Sequence, residues 1–244
     1  MKILLTGDKG YLGGEFIKRY GKVYDILGYD LKDGLDILDY NTLSRKMKGC
    51  EQVVHLAAIP KPTPGKTFDE YFENNVKGTH NVAKAALENK LKRVIYASST
   101  TIYGIEMGIP FQIPINEGQK FVSQYIPAAK LSCRDIDLSY HVSKVMAEQV
   151  IAWYGLNKKI QTVALRFGPI GKVFLGTSVS NNNATQAIKL ALDYPGEFWY
   201  EAFSIVDEVP HIDISKAKKI LSYKPEKPEY TKEQKKSGLD DRTV

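Results

Sequence analysis

The sequence predicts an α/β protein: a Rossmann-like, doubly wound parallel sheet with a small C-terminal lobe. Three observations carry this. Strand-like and helix-like stretches alternate along most of the chain. The first apolar run, Lys2 to Leu5, leads directly into the glycine-rich turn Thr6-Gly7-Asp8-Lys9-Gly10-Tyr11-Leu12-Gly13. The second strand ends on an acidic residue, Asp30. With 244 residues, 43% hydrophobic and 25% charged, the chain is large enough for one well-developed core.

Each element has its own justification. Lys2 to Leu5 is a short apolar run, as suits a strand buried on both faces. Val23 to Tyr29 reads as the second strand, a polar helix follows near Asn41 to Lys48, and Gln52 to His55 reads as the third strand. From Phe68 to Asn89 the apolar residues Tyr71, Phe72, Val76, Val82, Ala86 and Leu87 lie near helical spacing, which predicts one long amphipathic helix. Arg93 to Ala97 is the fourth strand, Ile136 to Tyr154 a helix, and Gln161 to Arg166 the fifth strand. Beyond it come a helix near Ala184 to Leu192, an aromatic strand at Phe198 to Ile205 and a helix at Ile214 to Leu221. The boundaries expected from this are a dinucleotide-binding domain over 1–166, a substrate-binding lobe over 167–224 and a poorly ordered tail over 225–244. Residues 105–135 lack periodicity and contain Pro110, Pro114 and Pro127, so they read as a long loop of the kind that often carries function.

Composition narrows the function classes. The net charge of +6 suggests nucleic acid at first, but residues 216–244 hold nine Lys or Arg against five Asp or Glu, so about +4 belongs to the tail. The remainder is nearly neutral, which favours a small-molecule enzyme over a nucleic-acid binder. No apolar run approaches the ~18 residues of a membrane span. Cys50 and Cys133 form no framework of disulfides, which predicts a reducing, cytoplasmic setting. The four histidines show no metal-ligand spacing; His55 and His211 read as structural, and His141 as facing away from the site.

The glycine-rich turn has the spacing G-x-x-G-x-x-G. Gly7 allows a tight turn, Gly10 a close backbone approach to phosphates, and Gly13 close packing of the helix, whose N-terminus supplies free N–H groups. Asp30, twenty-three positions after Gly7, is placed to accept from ribose hydroxyls and to repel a 2′-phosphate, which favours NAD over NADP. In Tyr140-His141-Val142-Ser143-Lys144 a tyrosine and a lysine stand one helical turn apart on one face. An ammonium beside a phenol, which ordinarily titrates near ~10, makes it a usable acid or base. Ser98 to Thr101 follow the fourth strand at the sheet edge where such folds bind ligands.

Taken together, TGDKGYLGG, Asp30, Asp36-Ile37, HLAAIP (His55 to Pro60), NNVKGTHNV (Asn74 to Val82), ASSTTIYG (Ala97 to Gly104), YHVSK and DISKAKKILSYKP (Asp213 to Pro225) resemble the extended short-chain dehydrogenase/reductases, the NAD-dependent epimerase/dehydratase group, over nearly the whole chain. The resemblance implies Ser99, Tyr140 and Lys144 as catalytic residues, Ser99 because it lies four positions before Tyr103 of the YG pair. It implies an NAD site formed by Gly7, Gly10, Tyr11, Leu12, Gly13, Asp30, Asp36, Ile37, Leu56, Ala57, Ala58, Asn75, Ser98, Phe167 and the Tyr140–Lys144 pair. Substrate would meet Ser99, Thr100, Thr101 and Arg166, and two copies would pair through the helix before the fourth strand and the helix bearing Tyr140.

Departures from the group's patterns narrow the reaction. Thr100 and Thr101 stand where sugar 4,6-dehydratases carry Asp-Glu, and Thr101 where the 3,5-epimerase/reductases carry Cys. What survives is hydride transfer at a carbinol carbon of a sugar or nucleotide sugar, either returned as in an epimerase or kept as net oxidation of a free sugar or uronate; a non-catalytic NAD-binding regulator is the alternative from another class. Arg166-Phe167-Gly168-Pro169-Ile170-Gly171 lacks the Asn that helps to seat a nucleoside diphosphate, and the C-terminal portion is short, so a small substrate is expected. Phe121, Tyr125, Lys130 and Arg134 are candidates for a lid over it.

Overall fold

The computed structural model describes residues 1–105, 113–124, 135–173, 176–228 and 230–234, with side chains from 138 onward in the third of these stretches. Six strands form one sheet in the order β2-β1-β3-β4-β5-β6. They are β1 (Lys2–Thr6), β2 (Asp25–Tyr29), β3 (Gln52–His55), β4 (Arg93–Ser99), β5 (Gln161–Phe167) and β6 (Trp199–Ile205), and every pair is parallel. Between them run α1 (Tyr11–Tyr20), α2 (Tyr40–Met47), α3 (Phe68–Tyr71), α4 (Gly78–Glu88), α5 (Asp135–Leu156) and α6 (Asn181–Asp193), with α7 (Ser215–Leu221) after β6.

The period-two alternation of the strands divides the core into two layers. Ile3, Leu5, Ile95, Val163, Leu165 and Phe203 face α1 and α6, where they pack with Leu12, Phe16, Ala184 and Ile188. Leu4, Val53, Val94, Tyr96, Ala164 and Ala202 face the other way, onto Leu43 of α2, Val82 and Ala86 of α4, and Ala147 and Ile151 of α5. Each fully buried large aliphatic side chain contributes about 1.5–3 kcal/mol, so burial on both faces stabilises the sheet. The chain reverses direction across the sheet between β1 and β3, the switch point at which open α/β sheets bind ligands beyond their carboxyl ends.

The stretch expected as one helix from Phe68 to Asn89 is helical from Phe68 to Glu88, with a π-helical stretch at Phe72–Lys77 between α3 and α4. The wider turn carries Asn75 inward to 1% exposure, a placement that matters below. The expected boundary after Arg166 is not a boundary in the sheet. β6 pairs with β5, and α6 and α7 contribute Ala187, Ile188, Ala217 and Leu221 to the same core layer as β1, because Phe203 and Ile205 need cover on that face.

The tail also differs from expectation as far as it is described. Glu226 pairs with Arg19, and its backbone N–H donates to Asn183 Oδ1 at 2.7 Å; Tyr230 donates to the buried Asp207 at 2.5 Å. These partners on α1, α6 and the segment after β6 fasten the chain; residues 235–244 lie outside the described residues. So do Tyr125, Lys130 and Arg134 of the expected lid. Phe121, the remaining lid candidate, packs partly buried against the core with the Arg166 guanidinium 5.3 Å from its ring centre. Ile115, in the middle of the predicted loop, is held by hydrogen bonds to His211 and Asp213. Among the described residues, no helix is long and apolar enough to cross a membrane.

Candidate active site

The loop after β1 is built for close approach. Gly7 has φ +74°, and a Cβ there would lie 2.8 Å from the Ala57 backbone nitrogen; at Gly13 a Cβ would collide with the Gly7 carbonyl and with Asp8. Helix α1 then begins at Tyr11 with Gly10 as its N-cap and no side-chain cap, so its first N–H groups are left for a ligand. Tyr11 is 58% exposed and exchanges hydrogen bonds with Asn181 at the start of α6. Across the switch point, the Leu56 and Ala57 N–H groups donate to the Thr6 carbonyl and hydroxyl, which ties the β3 loop to the glycine loop.

Asp30 ends β2 beside this loop. Its carboxylate accepts from the backbone N–H groups of Lys9 (3.1 Å) and Lys32 (2.9 Å), so it braces the glycine loop from the side. Asp36 accepts from Leu38 N–H, and Ile37 is buried against Gly78, where a Cβ on α4 would overlap its side chain. Uncapped N–H groups, a glycine cradle and a carboxylate on one rim together fit a dinucleotide.

The second cluster lies where α5 packs on the end of β4. Ser99 caps the 3-10 turn Thr100–Tyr103, its hydroxyl accepting from Thr101 N–H at 3.2 Å. Tyr140 is 5% exposed, its ring edge-on to Tyr71 at 6.2 Å. One turn on, Lys144 Nζ donates to the Ala97 carbonyl at 2.7 Å and lies 4.7 Å from the ring centre of Tyr96. Ala97 is two residues before Ser99, so this bond sets Lys144 beside the end of β4. Burial pulls the Lys144 ammonium down to about 8, against the pull of Glu148.

Asn75 joins the two halves of the site. Its carboxamide exchanges hydrogen bonds with both backbone groups of Ile59 (2.8 and 3.2 Å) and donates to Ser143 Oγ (3.0 Å), which donates to the Tyr140 carbonyl (2.7 Å). Asn75 therefore supports the β3 loop and α5 rather than facing the cleft. His55 is held between Thr6 and Thr79; because Thr79 gives its proton to the Asn75 carbonyl, the imidazole Nε2 donates to Thr79 and Nδ1 accepts from Thr6. Burial, then the Lys144 charge, pulls it down to about 3, so it stays neutral.

Four expectations are corrected, the fourth at Phe167, which was expected at the cofactor. Arg166, expected at the substrate, is 3% exposed and engaged by a fully buried Glu148: Nη2 and Nε donate to Oε1 at 2.6 and 3.1 Å, while Nη1 donates to Tyr103 (2.8 Å) and the Glu117 carbonyl (3.1 Å). Burial, the largest single influence, would lower its pKa; the Glu148 charge, Tyr103, the hydrogen bonds to Glu148, and Tyr200 together outweigh it and raise it. Ser98, expected at the cofactor, points to the α5 side of β4 and donates to Glu148 at 2.5 Å. His141, expected to face away, is 3% exposed and packs edge-on to Tyr140, because α5 is covered on that side too. Phe167, 3% exposed, belongs to the core layer under α6. Leu56, Ala57 and Ala58, which follow β3, are partly buried. Glu148 was missed, although its place one turn beyond Lys144 is visible in the i, i+4 spacing. The Oγ1 atoms of Thr100 and Thr101, beside Ser99, are buried without a hydrogen-bond partner among the described residues.

Comparison with known proteins agrees with this geometry. The chain is 27% identical over 175 residues to an L-arabinose 1-dehydrogenase (NAD(P)(+)) of Haloferax volcanii, covering 68% of this chain and 66% of that protein. It is 28% identical over 187 residues to a UDP-glucose 4-epimerase of Halalkalibacterium halodurans, covering 68% of this chain and only 50% of that one. In fold it matches a short-chain dehydrogenase/reductase superfamily protein from Agrobacterium tumefaciens crystallised with NAD, with TM-score 0.76, 18% identity and 93% of each chain covered. The sequence pattern of one family matches residues 3–173, from the first strand through the glycine loop, Ser99 and the Tyr140–Lys144 pair: this chain belongs to the NAD dependent epimerase/dehydratase family.

Proposed function

We propose that this protein is an NAD-dependent oxidoreductase acting on a hydroxyl of a sugar or nucleotide sugar. The observation that supports the reading is that Lys144, one turn from Tyr140 on α5, donates to the Ala97 carbonyl in β4, the strand that ends on Ser99. NAD, when bound, supplies the hydride acceptor. Gly7, Gly10, Tyr11, Leu12 and Gly13 would hold its diphosphate, Asp30 its adenosine ribose, Asp36 and Ile37 its adenine, and Leu56 to Ala58 the cleft wall. Ser99 donates a hydrogen bond to the reacting oxygen, and Tyr140 takes the proton from it. Lys144, charged below about pH 8, favours the tyrosinate by lying on the same helix face. Thr100 and Thr101, which follow Ser99, would lie at the substrate end of the site.

The test is to incubate the protein with NAD and a panel of free sugars, uronates and nucleotide sugars. Nicotinamide reduction is followed by absorbance and sugar interconversion by NMR. Net NADH identifies a dehydrogenase, and interconversion without NADH an epimerase. Tyr140→Phe is expected to lower either rate by roughly 10²–10⁴-fold; an unaffected variant would sink the assignment. We further propose a homodimer through α4 and α5 in a cytoplasmic setting. Exposed Trp153 and Leu156 on α5 support the dimer, and a monomeric sedimentation coefficient would refute it.

A further inference from the structure

The glycine loop contains a carboxylate that the cofactor reading leaves without a role. Asp8 follows Gly7, and because β1 and β2 run in parallel register with Thr6 opposite Tyr29, Asp8 and Asp30 emerge side by side beyond the sheet edge. Lys9 N–H, directly after Asp8, donates to Asp30 Oδ2 at 3.1 Å, which fixes the two segments together. The Asp8 carboxylate lies over Gly28 of β2, so closely that a Cβ at Gly28 would overlap it; the missing side chain of Gly28 is the space that Asp8 fills. Asp8 Oδ1 is buried with no hydrogen-bond partner among the described residues, while both Asp30 oxygens already accept backbone N–H groups. Burial first, and then the charge of Asp30, holds the Asp8 carboxyl above its ordinary range, so the two carboxylates share one neighbourhood.

The nearby cations face outward. Lys9 Nζ is paired with Asp33, and Lys32 Nζ donates to the Lys9 carbonyl at 2.9 Å, both at the exposed rim. The inner side of this corner is therefore lined by two carboxylates and its outer side by two lysines with one further carboxylate. We propose that Asp8 is a second acidic selector: with Asp30 it sets a doubly negative wall at the ribose end of the cleft, which rejects the 2′-phosphate of NADP and makes the protein specific for NAD. The inference rests on the dinucleotide reading of the glycine loop. It assigns part of the selection to the loop itself, in addition to the carboxylate at the end of β2.

The test is a binding measurement that needs no substrate. NADH and NADPH are titrated separately into the full chain by calorimetry or nicotinamide fluorescence, for the wild type, Asp8→Asn and Asp30→Asn. Removing one charge within a few ångströms of a phosphate dianion is expected to tighten NADPH binding by about tenfold or more in Asp8→Asn. NADH affinity should stay within about threefold, since only NADPH carries the phosphate that the charge repels. Raised salt should narrow the wild-type preference, because the wall acts by charge. If Asp8→Asn folds poorly, Asp8→Gly removes the charge and the bulk together and is expected to give the same shift. An unchanged NADH-to-NADPH ratio in both Asp8 variants, with NADH still bound, overturns this inference alone. Wild-type protein that binds NADPH as tightly as NADH overturns it as well. Protein that binds neither dinucleotide overturns the cofactor reading and the inference with it.

Discussion

Two arginines are buried at opposite ends of the same sheet, and the contrast between them separates architecture from chemistry. Arg93 opens β4 at the amino edge and is fully buried. It donates to Gln161 Oε1 and to the carbonyls of Ala191, Tyr194 and Gly196, all neutral oxygens, so it clamps the α6–β6 corner without a counter-charge. Burial lowers its pKa, with no carboxylate among the described residues to reverse the effect. Arg166, near the end of β5, is paired with the buried Glu148, which also receives Ser98 and Tyr200 and lies one turn below Lys144 on α5. The amino edge is held by dipoles and the carboxyl edge by full charges. Only charges reach far enough to influence a neighbouring lysine, and the carboxyl edge is where Tyr140 and Ser99 are found.

The contrast can be broken most strongly at Glu148. Glu148→Gln leaves the Arg166 guanidinium buried and uncompensated, and the expected loss of unfolding free energy, read by urea denaturation, is about 3–5 kcal/mol. Arg93→Met is expected to cost less, about 1–3 kcal/mol, because it strands carbonyls rather than an ion. It should leave dinucleotide affinity unchanged, since its partners lie at the far edge of the sheet; a weakened affinity would show that the two edges are coupled.

A smaller effect sharpens the comparison through pH. Lys144 titrates at about 8 when folded, below its ordinary value of 10.5. Across that window the unfolded chain binds the extra proton, so stability rises with pH by at most about 1.4 kcal/mol per unit. The difference in unfolding free energy between wild type and Lys144→Met, followed from pH 7 upward, should show that slope. A flat difference would mean that Lys144 keeps its ordinary affinity for the proton and is not desolvated. Neither arginine titrates in this range, so the slope reports on the catalytic edge alone.

Much of the active edge was legible in the linear order. Gly7, Gly10 and Gly13 with Asp30 announced a dinucleotide loop, because backbone conformation and helix-end dipoles are local properties. The Tyr140–Lys144 spacing announced a shared helix face for the same reason. The departures are side chains whose surroundings are set by packing rather than by neighbours a few positions away in sequence. Arg166 and Ser98 read as ligand contacts until Glu148, 18 and 50 positions away, was seen to take both. His141 read as outward-facing because one helix face suggests nothing about what covers the other.

The sequence by itself determined the sheet, its helices, the glycine loop and the shared helix face of Tyr140 and Lys144, since periodicity, glycine placement and i, i+4 spacing act over a few residues. Tertiary structure alone decided which polar groups remain free to act. In a buried corner a hydroxyl, carboxylate or guanidinium is claimed only where packing brings a partner within about 3 Å. Packing claimed Arg166, Ser98 and Asn75 for support, and left the hydroxyls of Thr100 and Thr101 and one oxygen of Asp8 unclaimed.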